Sequence, residues 1–153
     1  AKGTNHFSGR FYCCYENQVQ GVVFLDMQMG KILIVDDEEN ARIGLSRLLS
    51  QEGYDVDSVC DGAEALDYIC DHRVSLVISD IHMPGMNGMV FLRELHRSHP
   101  GINVIMITAY GGVESYLEAM NLGAFEYINK PVKIDELKSV MNKLFSQNNQ
   151  ANV

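Results

Sequence analysis

The stretch Val74-Ser-Leu-Val-Ile-Ser-Asp80, followed at once by Ile81-His-Met-Pro-Gly-Met-Asn-Gly88, decides how the rest of the chain is read. Its first part is a nearly continuous aliphatic run, the pattern of a strand covered on both faces, and such strands belong to parallel sheets. The run ends in an acid and breaks into a Met-Pro-Gly turn. A carboxylate at the edge of an apolar core costs free energy unless something pairs with it, so Asp80 is either a turn residue or part of a working site.

Outward from this stretch the pattern repeats. Short β-branched runs at residues 32–35, 54–59, 74–79, 102–107 and 125–128 alternate with stretches of helical period at 38–52, 62–71, 88–98, 113–122 and 134–145. In the helical stretches apolar residues recur three and four apart, as in Leu45, Leu48, Leu49 or Ile134, Leu137, Val140, Met141, Leu144. Gly53 and Gly123 stand where helices should end, and Asp61 where one should begin. Strict alternation of strand and helix predicts an α/β domain whose parallel sheet carries helices on both faces. Its ligand crevice then lies beyond the strands' C-terminal ends, where the winding direction switches.

At 153 residues and 46% hydrophobic, the chain is of a size for one core. We divide it into an extension or leader at 1–29, one domain at 30–147, and a polar tail at 148–153. The first segment shows no sustained period, and Met29-Gly-Lys31 has the look of a start just before the first strand. A formal net charge of −8 argues against direct nucleic-acid binding, which needs a basic face to displace counterions. Cys13, Cys14, Cys60 and Cys70 lack zinc-ligand spacing and read as reduced thiols of a cytoplasmic protein. The most apolar N-terminal run, Gly21-Val-Val-Phe-Leu25, is too short to span a bilayer, so no membrane association is expected.

The topology gathers on one rim the residues just past each strand: Asp36-Asp37-Glu38 after the first, Asp80 after the third, Thr108-Ala109 after the fourth and Lys130-Pro131 after the fifth. Singly, each has a plain explanation. Asp36 or Asp37 serves as a helix cap, Asp80 as an Asx turn, Thr108 as a cap and Lys130 as a solvated charge. Jointly these explanations fail, because independent caps have no reason to fall at successive strand ends. Two carboxylates about 4 Å apart repel by roughly 4 kcal/mol at an effective dielectric of 20, so three acids require a cation or a raised pKa. An oxygen-only donor set without His or Cys side chains points to Mg²⁺. A carboxylate beside Mg²⁺, with Lys130 and Thr108 to hold phosphoryl oxygens, is the arrangement for a nucleophilic aspartate that accepts a phosphoryl group.

With these residues in view, the chain from Lys31 to Phe145 closely resembles the receiver domain of two-component response regulators. The resemblance rests on Ile32-Leu-Ile-Val-Asp-Asp-Glu38, Ser79-Asp-Ile-His-Met-Pro-Gly-Met-Asn-Gly88, Ile107-Thr-Ala-Tyr-Gly111 and Gly123-Ala-Phe-Glu-Tyr-Ile-Asn-Lys-Pro131, in that order and at that spacing. It implies a doubly wound, flavodoxin-like (βα)5 sheet with strand order 2-1-3-4-5. It further implies that Asp80 is the phosphoacceptor, that Asp37 binds Mg²⁺ directly and Asp36 through water, and that the backbone carbonyl of His82 completes the metal's protein ligands. Thr108 would bond the phosphoryl group and shift on activation, Lys130 would pair with it, and Tyr127 would be the aromatic switch that turns inward. The Lys130–Pro131 peptide would be cis.

The donor implied is a phosphohistidine on a sensor histidine kinase or phosphotransfer protein, and the only chemistry implied is the domain's own phosphorylation and dephosphorylation. The motifs look most like receivers of nitrogen-regulation-type activators, although none of these 153 residues reads as an output domain. The face made by the fourth helix, fifth strand and fifth helix is the expected partner or homodimer surface. On that face Val113, Tyr116 and Met120, taken singly, read as core packing, and Met83, Met86 and Met89 read as filler around the turn. His82 reads as an exposed loop residue that offers only its backbone.

Three rivals are weaker. A flavin module needs a hydroxyl- and glycine-rich phosphate loop where Asp36-Asp37 would repel phosphate. A magnesium-dependent phosphatase with an aspartyl nucleophile resembles an Asp-x-Asp arrangement on the first strand, whereas the acids here are adjacent. A degenerate receiver acting only as a scaffold is disfavoured because every phosphorylation position is filled.

Overall fold

The computed structural model describes residues 30–150, with side chains to 147. Strands β1 (Lys31–Val35), β2 (Val56–Val59), β3 (Val74–Asp80), β4 (Asn103–Thr108) and β5 (Glu126–Asn129) alternate with helices α1 (Glu39–Gln51), α2 (Gly62–Asp71), α3 (Gly88–Ser98), α4 (Val113–Asn121) and α5 (Ile134–Gln150). They form one parallel sheet in the order β2-β1-β3-β4-β5. The α/β class, the strand order and the winding are those expected.

Strand periodicity sorts the core into two layers. Leu33, Val35, Val77, Val104 and Met106 point to one face, where Ala65 and Ile69 of α2, Phe91, Leu92 and Leu95 of α3 and Ala119 of α4 cover them. Ile32, Ile34, Leu76, Ile78, Ile105, Ile107 and Ile128 point to the other, under Leu49 of α1 and Leu137, Val140, Met141 and Leu144 of α5. Each fully enclosed Ile or Leu contributes about 1.5–3 kcal/mol relative to exposure, so β1, β3 and β4 are the best anchored elements.

Local chemistry closes the elements. Gly53 and Gly123 take φ of 91° and 97° just past α1 and α4. In each case the next two amides bond back into the last turn: Gly53 N–H to Ser50 and Tyr54 N–H to Leu49, Gly123 N–H to Met120 and Ala124 N–H to Ala119. Asp61 caps α2, its Oδ1 accepting the Glu64 N–H at 2.8 Å, and Asn87 caps α3 in the same way through Val90.

Two boundaries differ by more than one residue from those read in the sequence. β2 starts at Val56 rather than 54, because Tyr54 N–H is already committed to ending α1. α5 continues to Gln150 instead of stopping at 145, since Ser146-Gln-Asn-Asn-Gln150 holds no Gly or Pro to break it. Residues 1–29, and with them Cys13 and Cys14, lie outside the described residues, as do 151–153 of the tail. Neither Cys60 nor Cys70 is in a disulfide, and no helix among the described residues is long and apolar enough to cross a membrane.

Candidate functional site

β1, β3 and β4 are neighbours in the sheet, so their last residues and those just beyond share one rim. Asp80 ends β3 only 7% exposed, and Asp36, just past β1, is 6% exposed. Each acid divides its two oxygens. Oδ1 of Asp80 accepts the His82 N–H at 2.9 Å, and Oδ1 of Asp36 accepts the Glu38 N–H at 2.9 Å. These local turns fix both side chains. The other oxygens face Lys130: its Nζ lies 2.6 Å from Asp80 Oδ2 and 2.9 Å from Asp36 Oδ2.

The plain turn reading of Asp80 therefore holds for one oxygen, while the other is left to Lys130. The capping reading of Asp36 and Asp37 does not hold, because the residue at the N-cap of α1 is Glu38 and no side chain caps that helix. Asp37 is exposed, and oxygens of Asp36, Asp37 and Asp80 lie within 4.8 Å of one another.

The charge problem posed by three acids is met within the chain by the Lys130 ammonium. Burial pushes the Lys130 pKa down, but hydrogen bonds and charge from Asp80 and Asp36 outweigh it, and the net shift is upward from 10.5. Its backbone is tied to the same rim, Lys130 N–H donating to the Thr108 carbonyl at 2.7 Å, and the Lys130–Pro131 peptide is cis. Thr108 is fully buried at the end of β4, where its Oγ1 accepts the Tyr110 N–H at 3.2 Å. Among the described residues Thr108 makes no side-chain bond to the acids.

His82 is exposed, its ring edge-on to Tyr110 with centroids 6.0 Å apart. Met83 and Met89 are buried and Met86 packs against Gly62, as filler around the turn. Gly88 is required by proximity: a Cβ there would lie 2.2 Å from the Asp80 carbonyl oxygen and 2.7 Å from Ile81 Cα. Both obstacles are backbone, so Gly88→Ala must displace the loop that carries Asp80. We expect a loss of about 2 kcal/mol in urea unfolding. A variant as stable as the wild type would contradict this packing.

Tyr127 is half-buried, its hydroxyl 2.7 Å from Ser115 Oγ and its ring edge-on to Tyr116 at 5.8 Å. The packing reading holds for Met120, which lies partly buried against the core. It fails for Val113 and Tyr116, 75% and 42% exposed, because α4 lays only Ala119 fully into the sheet. With Leu117 they leave an apolar strip on α4.

Two polar residues of this region were not singled out from the sequence. Ser115 accepts the Gly112 N–H at 3.1 Å, and its position three residues after the N-cap is the legible half of a capping signal. Arg42 reaches back from α1 to the Asp36 carbonyl, a contact with no local sequence signature. A second group, Cys60, Asp61 and Glu64, is occupied with starting α2: Glu64 accepts the Cys60 N–H while Asp61 accepts that of Glu64. The Cys60 thiol is pushed up by its hydrogen bond to Glu64, by burial and by the neighbouring acids, against a smaller pull from Arg42.

Residues 32–142 match the family model of the response regulator receiver domain. The chain is 38% identical over 117 residues to sporulation initiation phosphotransferase F of Bacillus subtilis, covering 76% of this chain and 94% of that protein. It is 34% identical over 120 residues to the DNA-binding transcriptional regulator NtrC of Escherichia coli, covering 78% of this chain but only 26% of that protein. Among solved structures, a receiver domain protein from Clostridium thermocellum superimposes with a TM-score of 0.75 at 31% identity, covering 80% of this chain and 99% of that one. The response regulator TrrA of Thermotoga maritima, solved in complex with Mg²⁺-BeF, gives 0.69 at 39% identity, covering 76% and 99%. Sheet order, acidic rim and family match agree: this chain belongs to the response regulator receiver domains, the phosphoacceptor signalling domains of two-component systems.

Proposed function

We propose that Asp80 is the phosphoacceptor of this domain and that its reaction requires Mg²⁺ held by Asp37, by the His82 backbone carbonyl and by Asp80, with Asp36 acting through water. The observation that carries this reading is the buried pair Asp36–Asp80 bridged by Lys130, with Asp37 exposed beside it. The donor set suits the metal, being all oxygen, with one acid that makes no hydrogen bond or ion pair among the described residues. Bound there, Mg²⁺ would supply positive charge to phosphoryl oxygens as they approach a carboxylate.

The chain's own residues do the rest. Asp80 Oδ1 stays on the His82 amide, which holds the carboxylate in place while Oδ2 attacks phosphorus. The P–N bond of a phosphohistidine breaks, and its electron pair returns to the imidazole of the kinase or phosphotransfer protein. Lys130, already beside Oδ2, follows the new negative charge, and the Thr108 hydroxyl donates to a phosphoryl oxygen. Movement of Thr108 frees room for Tyr127 to turn inward, at the loss of its bond to Ser115. This biases the α4–β5–α5 face, whose exposed Val113, Tyr116 and Leu117 suit a partner or a second copy of the chain. The domain's chemistry is confined to its own phosphorylation and dephosphorylation, and it works in the cytoplasm without contacting nucleic acid itself.

The test is intact-protein mass after incubation with acetyl phosphate, with and without Mg²⁺, followed by borohydride trapping and peptide mapping. A single metal-dependent phosphoryl adduct on the Asp80 peptide is expected. An adduct mapped elsewhere, or one indifferent to Mg²⁺, would overturn the assignment.

A further inference from the structure

We infer that Arg42 is a positioning residue for the metal site: by holding the Asp36 carbonyl it aims the Asp37 carboxylate at the cation. The inference rests on the Mg²⁺ reading above. Arg42 lies half-buried on the first turns of α1, and its Nη1 donates to the Asp36 carbonyl at 2.7 Å. That carbonyl stands where the β1 ladder has ended, past the last registered pair, Val35 with Val59 and Ser79. A buried carbonyl must find a donor, and among the described residues Arg42 is the one it has.

The peptide plane makes this contact consequential. Asp36 C=O and Asp37 N–H belong to one rigid unit, so fixing the carbonyl fixes the direction in which Asp37 leaves the loop. The Asp36 side chain is held independently, by Glu38 N–H and Lys130 Nζ. Among the described residues nothing restrains the Asp37 side chain in this way, and no side chain caps α1 to steady the junction. Arg42 also forms no ion pair among the described residues, so its charge is not committed to neutralising a particular acid.

Charge and positioning predict opposite signs. A guanidinium near an acidic metal site, acting only through its charge, repels Mg²⁺, so its removal should tighten binding. A guanidinium that preorganises a ligand should weaken binding when removed, by about tenfold as for other groups that orient metal ligands. The experiment measures Mg²⁺ dissociation constants by calorimetric titration for wild type, Arg42→Ala and Arg42→Lys, with hydrogen exchange of the Asp37 and Glu38 amides in the metal-free proteins. We expect the alanine variant to bind about tenfold more weakly and to exchange faster at these amides, and the lysine variant, which keeps a donor of similar reach, to recover most of both. Unchanged or tighter binding by Arg42→Ala would overturn the inference, as would weaker binding with unchanged exchange. If Arg42→Ala fails to fold, Arg42→Met, which keeps the apolar stem and loses both donor and charge, takes its place: weaker binding with faster exchange supports the inference, and unchanged or tighter binding, or weaker binding with unchanged exchange, overturns it. Absence of Mg²⁺ binding by the wild type would instead remove the metal reading itself, which separates the two failures.

Discussion

Asp80→Asn should take up no phosphoryl group from acetyl phosphate while keeping the fold. An amide is not a nucleophile toward phosphorus, and loss of a nucleophile commonly lowers turnover by roughly a thousandfold or more. Intact-protein mass should therefore show adduct at background. The fold is expected to survive because the substitution moves two effects in opposite directions. Asparagine keeps one acceptor, which the His82 amide at 2.9 Å claims. Its NH₂ then faces the Lys130 ammonium, and one charged hydrogen bond is lost. Against this, Asp36 and Asp37 no longer share a rim with a third carboxylate, and Lys130 keeps its pair with Asp36 at 2.9 Å. The net change in unfolding free energy should stay within about 1 kcal/mol. Equal phosphorylation of the variant would sink the site assignment, whereas a large loss of stability would show that Asp80 also holds the core.

How much of this could be read in the amino-acid order depends on the range of the interaction concerned. β3 was legible because Val74 and Leu76-Val-Ile78 leave no polar face, and α2 and α3 kept their boundaries because Asp61 and the Gly88 turn mark them locally. Topology then placed Asp36, Asp37, Asp80 and Lys130 on one rim. The same reading assigned charge compensation to a metal ion, yet the chain answers it first with Lys130, a contact across 94 residues to Asp36 and 50 to Asp80. Such a contact depends on loop geometry that no period encodes. Exposure of Val113 and Tyr116 was missed for a related reason: helical spacing says which residues share a face but not how much of that face the sheet covers. Arg42 escaped because its partner is a backbone carbonyl, and carbonyls carry no sequence signal.

Removing the Lys130 charge should destabilise the protein, and Mg²⁺ should repair it. Lys130→Met keeps an apolar stem of similar length and deletes only the ammonium. Asp36 and Asp80 then face each other across at most 4.8 Å, a repulsion of roughly 3 kcal/mol at an effective dielectric of 20. The site opens to solvent at Asp37, so a loss of about 2 kcal/mol in metal-free urea unfolding is the expected result. The wild-type contribution has a definite pH dependence. Because the Lys130 pKa is raised on folding, its pairing stabilises the protein fully below the unfolded value of 10.5 and fades as pH climbs through the raised one. The variant should lack that alkaline decline. Mg²⁺ should stabilise the variant more than the wild type, since a ligand adds RT ln(1 + [L]/Kd) and the cation no longer competes with an ammonium for the same oxygens. Phosphorylation should persist in part, because Asp80 and the metal ligands remain, while coupling to Tyr127 is lost. Urea curves with and without Mg²⁺ decide the matter: a variant as stable as the wild type without metal, or no more responsive to Mg²⁺, would mean that Lys130 does not carry the charge balance of this rim.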